Sequence, residues 1–174
     1  MKKIYFFRWS WRDEIDETST SPYTRLFEED ETKTYIYYRA EHRPYYTSRY
    51  FYLEGEDIEA VKERLMENMP LLTSEDLIDQ LKDGKDILNR RSAIYQLGIL
   101  WCGQPFEQPI YDIFEKILLQ EQAEVKIAAL YGMAWTCWKE IIPLVKMALN
   151  DKEEEVRRHA SLLLEGLSKY EKNS

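Results

Sequence analysis

The sequence predicts a mainly α protein, a short α-α superhelix of about three helix pairs preceded by a small N-terminal antiparallel β appendage. Two observations carry that expectation. An apolar frame in the C-terminal half recurs 31 residues apart, as from Val125 to Val156, whereas the first 55 residues are rich in aromatic and β-branched side chains. The chain therefore divides into a three-stranded β appendage over residues 1–55 and a helical repeat region over 56–174, packed together as one unit.

Three stretches of the first part read as strands: "KKIYFFRWSW", "KTYIYYRAE" and "YYTSRYFYL". The segments "RDEIDETSTSP" and "HRP" between them read as loop and turn. In the third stretch Tyr46, Ser48, Tyr50 and Tyr52 alternate with Thr47, Arg49 and Phe51, which puts three tyrosines on one face. A sheet this short has to lean on helices. Residues 56–69, "EDIEAVKERLMENM", supply a first helix with Ile58, Val61, Leu65 and Met69 on one stripe. A second helix over 74–81 follows, with Thr73 or Ser74 as its N-cap and acids in its first turn.

Taking Val156 as origin, Ala160, Leu163, Leu164 and Leu167 fall on one helical face. The same offsets from Val125 meet Ala129, Gly132, Met133 and Thr136, and Lys126 matches Arg157. The preceding segments correspond as well, Ile110, Phe114, Ile117 and Leu118 against Ile141, Val145, Ala148 and Leu149, so the unit is a pair of helices. A looser copy runs through "NRRSAIYQLGIL", which places Asn89, Ala93, Gln96, Leu97 and Leu100 in the frame, with "CGQPFEQP" as an expanded loop behind it. Repetition at this period is the mark of an α-solenoid, because each pair buries its apolar face only against its neighbours.

The frames "QAEVKIAALYGM" and "EEEVRRHASLLLEGL", with "NRRSAIYQLG" ahead of them, resemble HEAT repeats of the short type also found in phycobilisome lyases, over residues 73–168. Asn89 departs from that pattern, standing where an aliphatic residue is usual. The resemblance implies a right-handed stack of antiparallel helix pairs, generally used to hold other macromolecules, and does not imply catalysis.

The middle repeat is apolar on more than its core face: Ile127, Leu130, Tyr131, Ala134, Trp135 and Trp138 cover its other sides. A helix apolar all round is buried on several faces. Either the rest of the chain covers this one or a partner does, which makes Tyr131, Trp135 and Trp138 candidate binding residues. Tyr35, Tyr37, Tyr46, Tyr50 and Tyr52 are further candidates, because tyrosine offers large rigid contact area at low entropic cost. About half of these strand tyrosines are expected to face the helices as core.

A formal charge of −8 opposes binding to nucleic acid and anionic lipid and favours a basic protein partner. Arg90, Arg91, Lys126, Arg157 and Arg158 form a ladder at the repeat period, and neighbouring acids such as Glu121, Asp151 and Glu155 are placed to neutralise it. The acidic runs 12–17 and 28–31 lack the ordered donors and glycine of a calcium loop and read as solvated loop charge. Cys102 and Cys137 stand in apolar contexts and read as reduced and buried; His42 reads as a turn residue and His159 as a surface one. Phosphate-loop, dinucleotide and metalloprotease signatures do not occur, and no cofactor or metal is expected. The start "MKKIYFFRWSW" has too few apolar residues for a secretory signal, and the longest uncharged run, residues 127–138, falls short of the roughly 20 needed to cross a bilayer, so a cytoplasmic location is expected and membrane binding is not.

Two functions follow. The first is a non-catalytic protein-interaction module, in one concrete form an inhibitor or immunity-type protein that masks a basic partner. The second, implied by the resemblance alone, is a bilin lyase-like enzyme.

Overall fold

A four-stranded antiparallel meander opens the chain: β1 (Trp9–Ile15), β2 (Tyr23–Glu29), β3 (Thr34–Arg43) and β4 (Tyr46–Glu54), hydrogen-bonded in that order. The computed structural model describes residues 9–18, 21–83 and 86–173; the part of the first expected strand before Trp9 lies outside them. Among the described residues seven α-helices follow: α1 (Ile58–Asn68), α2 (Ser74–Asp83), α3 (Ile87–Leu100), α4 (Gln108–Gln120), α5 (Ala123–Thr136), α6 (Ile142–Ala148) and α7 (Glu154–Asn173), with a 3₁₀ turn at Lys139–Ile141.

The mainly α class with a small β appendage is thereby corrected. With 20% of the chain in strand, the sheet is a major element beside the helices. The expectation failed at β2, "YTRLFEE", whose charged residues disguise a strand in which Phe27 and Leu26 face opposite sides. The acidic runs are only partly loop, because residues 12–15 and 28–29 lie in strands while 16–17 and 30–31 do not. Arg12 fills a bulge in β1 and donates to Glu28 at 2.8 Å, and Glu14 is bonded by Arg25 and Tyr23 across the β1–β2 ladder. Glu29 is buried. It accepts from the Thr32 amide and hydroxyl at 2.7 Å each and from Arg64 at 3.1 Å. Burial pushes its carboxyl up, but the Thr32 bonds and Arg64 outweigh that and hold it below the ordinary value.

The described residues group into two compact units. One holds the residues up to Arg43 with Thr47–Leu71; the other holds Pro44–Tyr46 with the residues from Leu72 onward. The core of the first is Ile36, Val61 and Leu65, with Phe27, Phe51, Leu53 and Met69 packed against them, so α1 covers the sheet face that carries Ile36. In the second unit α2 starts at a capping box: Thr73 Oγ1 accepts from the Asp76 amide at 3.2 Å, and the Asp76 carboxylate accepts from the Thr73 amide at 2.8 Å. Asp86 is the N-cap of α3, its side chain accepting from the Leu88 amide at 2.9 Å.

Helix α3 lies along α5, and α5 along α7. The frame residues Val125, Ala129, Met133, Val156 and Ala160 are fully buried, as are Ala93 and Leu97 of the looser copy, whereas Asn89 is exposed. Backbones meet where α3 crosses α5. A Cβ on Gly98 would run into the Gly132 carbonyl, and one on Gly132 would lie 2.7 Å from the Ile94 carbonyl oxygen, so both positions require glycine for close approach. Among the described residues no helix is long and apolar enough to cross a membrane.

Candidate functional site

In the sheet unit, alternation separates two faces. Ile36 and Phe27 stand opposite each other on the α1 side, so Tyr35, Tyr37 and Arg39 of β3 project from the other side. On β4, Phe51 and Leu53 belong to the α1 core, which sends Tyr50 and Tyr52 to the same face as Tyr35 and Tyr37. Tyr35 is 40% and Tyr52 45% exposed. The Tyr37 and Tyr52 rings lie 5.6 Å apart, and the Arg39 guanidinium sits over both, 5.5 Å from the Tyr37 centroid and 5.2 Å from that of Tyr52. Tyr37 donates to Glu54 at 3.4 Å and Tyr50 to the buried Glu41 at 3.3 Å. Burial, with Glu41 alongside, pushes the Tyr50 hydroxyl up to about 12, so it remains a donor at any physiological pH. The four tyrosines thus share one face and leave the α1 core to phenylalanines and aliphatics.

Tyr46, Tyr131 and Trp135 come together in the helical unit instead. Tyr46 is buried and stacks on Tyr95 of α3 at 3.6 Å between centroids, and Tyr131 meets its edge at 5.4 Å. Trp135 Nε1 donates to the Tyr95 hydroxyl at 2.8 Å. Arg91 fixes the turn that carries Tyr46 by donating to the carbonyls of Pro44 and Tyr45. Trp138 lies elsewhere, beyond the end of α5, buried against Trp101 and Phe106, with its indole donating to the Gln104 carbonyl at 2.8 Å. The apolar surround of α5 is therefore filled by α3, α4, α7 and Tyr46, and one face remains open. That face forms a groove of about 380 Å³ between α5 and α7, lined by Leu130, Ala134, Cys137, Leu162, Leu163 and Leu167 among others.

His159 is a buried residue, contrary to its surface reading. Arg158 can only donate, so its 2.9 Å contact makes His159 Nε2 an acceptor. The ring proton then belongs on Nδ1, which donates to the Tyr131 hydroxyl at 3.2 Å. Burial first, and Arg158 second, lower the His159 pKa below its ordinary 6.5. Both cysteines are exposed, again contrary to expectation, because each sits at a helix end where apolar sequence neighbours do not enclose it. His42 belongs to β3, where its amide donates to Glu17 at 2.9 Å.

All five basic residues of the repeat ladder have internal partners. Arg90 forks onto Glu121, Lys126 meets Asp151 at 2.5 Å, and Arg157 donates to the carbonyls of Asp151 and Lys152 at 2.7 and 2.9 Å. Arg158 pairs with Glu155 at 2.8 Å, and Arg91 holds the turn already described.

Sequence reasoning missed Arg39 and His159. Arg39 was legible as the third same-parity residue after Tyr35 and Tyr37; the setting of His159 depends on Tyr131, which is 28 residues away and carried no local signal. Among the described residues no group of three or more His, Cys, Asp or Glu is placed to hold a metal ion. Comparison of the chain with family models, with curated proteins and with solved structures finds no match.

Proposed function

We propose that the protein is a non-catalytic protein-binding module of the inhibitor or immunity type, acting in the cytoplasm, which offers the open face of its sheet to a basic protein partner. The observation that carries this reading is the Arg39 guanidinium held over Tyr37 and Tyr52 beside the exposed Tyr35. Interface hot spots are enriched in tyrosine and arginine, and here the arginine is already oriented before a partner arrives, which lowers the ordering cost of binding. The net charge of −8, with Glu28 opposite Tyr35 and Glu54 beside Tyr37, favours a basic surface. The helical unit enters this proposal as a HEAT-like stack that holds its shape through ladder pairs such as Arg90–Glu121 and Lys126–Asp151, leaving those cations engaged and nucleic acid an unsuitable ligand.

The test is affinity capture from the source cells with the native chain and with the Tyr35→Ala/Tyr52→Ala variant, at low and high salt. A basic protein held by the native chain, weakened by salt and lost roughly tenfold or more by the variant, is the expected result. Equal retention by both chains would remove the open sheet face from consideration. A bilin mixed with the protein keeps its absorption spectrum on this reading; a shifted band would favour the lyase-like alternative.

A further inference from the structure

The groove between α5 and α7 lies wholly within the helical unit. Its α7 wall is a single stripe of that helix, on which His159, Leu162, Leu163, Gly166 and Leu167 follow at helical spacing. From His159 to Leu167 this wall runs about 12 Å along the helix axis. Leu162 is 55% exposed, so the chain leaves its own apolar wall uncovered there. Gly166 is a gap in the wall. It stands in the interior of α7, where glycine weakens a helix relative to alanine, yet an added Cβ would meet nothing within 4 Å. Unlike Gly98 and Gly132 it answers no need of the chain's own packing, and the space over it is open to an occupant.

At the His159 end a hydrogen-bond chain enters the groove. Glu155 holds Arg158 at 2.8 Å, Arg158 donates to His159 Nε2 at 2.9 Å, and His159 Nδ1 donates to the Tyr131 hydroxyl at 3.2 Å. The Tyr131 oxygen is thereby an acceptor, and its own proton meets no acceptor among the described residues. Burial pushes this hydroxyl above its ordinary value against the opposing pull of Arg158, so the proton stays in place. Tyr131 lines the groove and is half withdrawn from water, where a donor without an acceptor is costly. The charge of Arg158 is already matched by Glu155, which leaves nothing to offset an ionised ligand.

We propose that the groove between α5 and α7 binds a small, neutral, mainly apolar molecule with one carbonyl oxygen, its chain laid along the leucines and over Gly166 and its oxygen taking the Tyr131 proton. The volume of about 380 Å³ suits such a ligand, since small-molecule sites span roughly 300–1,000 Å³. A partner's α-helix fits less well: about 10 Å across, it would fill roughly 900 Å³ over the same length, and its backbone carbonyls are bonded internally. The site is independent of the sheet face argued to bind a protein.

The experiment titrates the native chain with 2-octanone by calorimetry, with octanoate as the charged counterpart, and follows the leucine methyl groups by NMR. Saturable one-to-one binding is expected, with shifts at Leu130, Leu162, Leu163 and Leu167 but not at Leu65 or Leu77, and with octanoate weaker by roughly tenfold or more. Gly166→Leu fills the groove from within and should abolish binding while the helical circular dichroism signal is kept. Tyr131→Phe keeps the ring that meets Tyr46 and should weaken binding roughly three- to tenfold. Absence of saturable binding, shifts outside the groove, or octanoate held as tightly as the ketone would overturn the proposal on the native chain alone. Binding left intact by either folded variant would do the same, and a native dimer that Gly166→Leu disperses would give the groove to a second copy instead.

Discussion

Lys126 carries its charge into the helical unit and meets Asp151, with only 7% and 9% of the two side chains exposed. Burial pushes the Asp151 carboxyl up, but the Lys126 hydrogen bond, the Glu153 amide and the positive charge of Lys126 outweigh it and leave the carboxyl below its ordinary 3.8. Removing one partner of such a pair strands the other, so Lys126→Ala should cost about 3 kcal/mol in urea unfolding, more than the same change at the exposed Lys62. His159 works in the opposite direction. A histidine whose folded pKa is depressed binds protons more readily when unfolded, so its contribution is fully present above 6.5 and declines as pH falls below that value toward the folded pKa. Unfolding midpoints of the native chain should therefore drop across that interval, and His159→Gln should flatten this part of the slope.

At the level of elements, backbone conformation and close approach decide more than side-chain chemistry. Lys33 ends the β2–β3 turn at φ 55°, where glycine has no penalty, and Lys33→Gly should raise stability by about 1 kcal/mol in thermal unfolding. Gly132 shows the converse. A methyl group there must move the Ile94 carbonyl or part α3 from α5, so Gly132→Ala should lower stability by about 2 kcal/mol, whereas Gly166→Ala, whose added carbon meets nothing within 4 Å, should not lower it. The Gly166 comparison matters because helix propensity favours alanine at both sites; only packing separates them.

For the molecule as a whole, the chain enters the helical unit early, through Pro44–Tyr46, before returning to complete the sheet. Tyr46 is the side chain that this excursion delivers, stacked on Tyr95 and met by Tyr131. Tyr46→Ala should destabilise the helical unit by about 3 kcal/mol, read from the unfolding of the α-helical circular dichroism signal. The net charge of −8 acts at this same scale, because it sets which partners are attracted over distance rather than which contacts form. Association with a basic protein should slow as salt screens that attraction, while dissociation changes less.

The sequence alone determined the helices whose apolar period is strong and whose caps are local: Val125, Ala129, Val156 and Ala160 were readable as one buried face because 3.6-residue spacing needs no knowledge of the partner surface. It also determined that Tyr50 and Tyr52 would share one face of their strand. Only the tertiary structure decided that β2 is a strand, because its charged residues Glu28, Arg25 and Glu29 are neutralised by Arg12, Glu14 and Arg64 from other parts of the chain. It likewise decided that Tyr46 belongs to the helical core and that His159 is enclosed. Each of those outcomes depends on contacts between residues far apart in the chain, and local spacing carries no information about them.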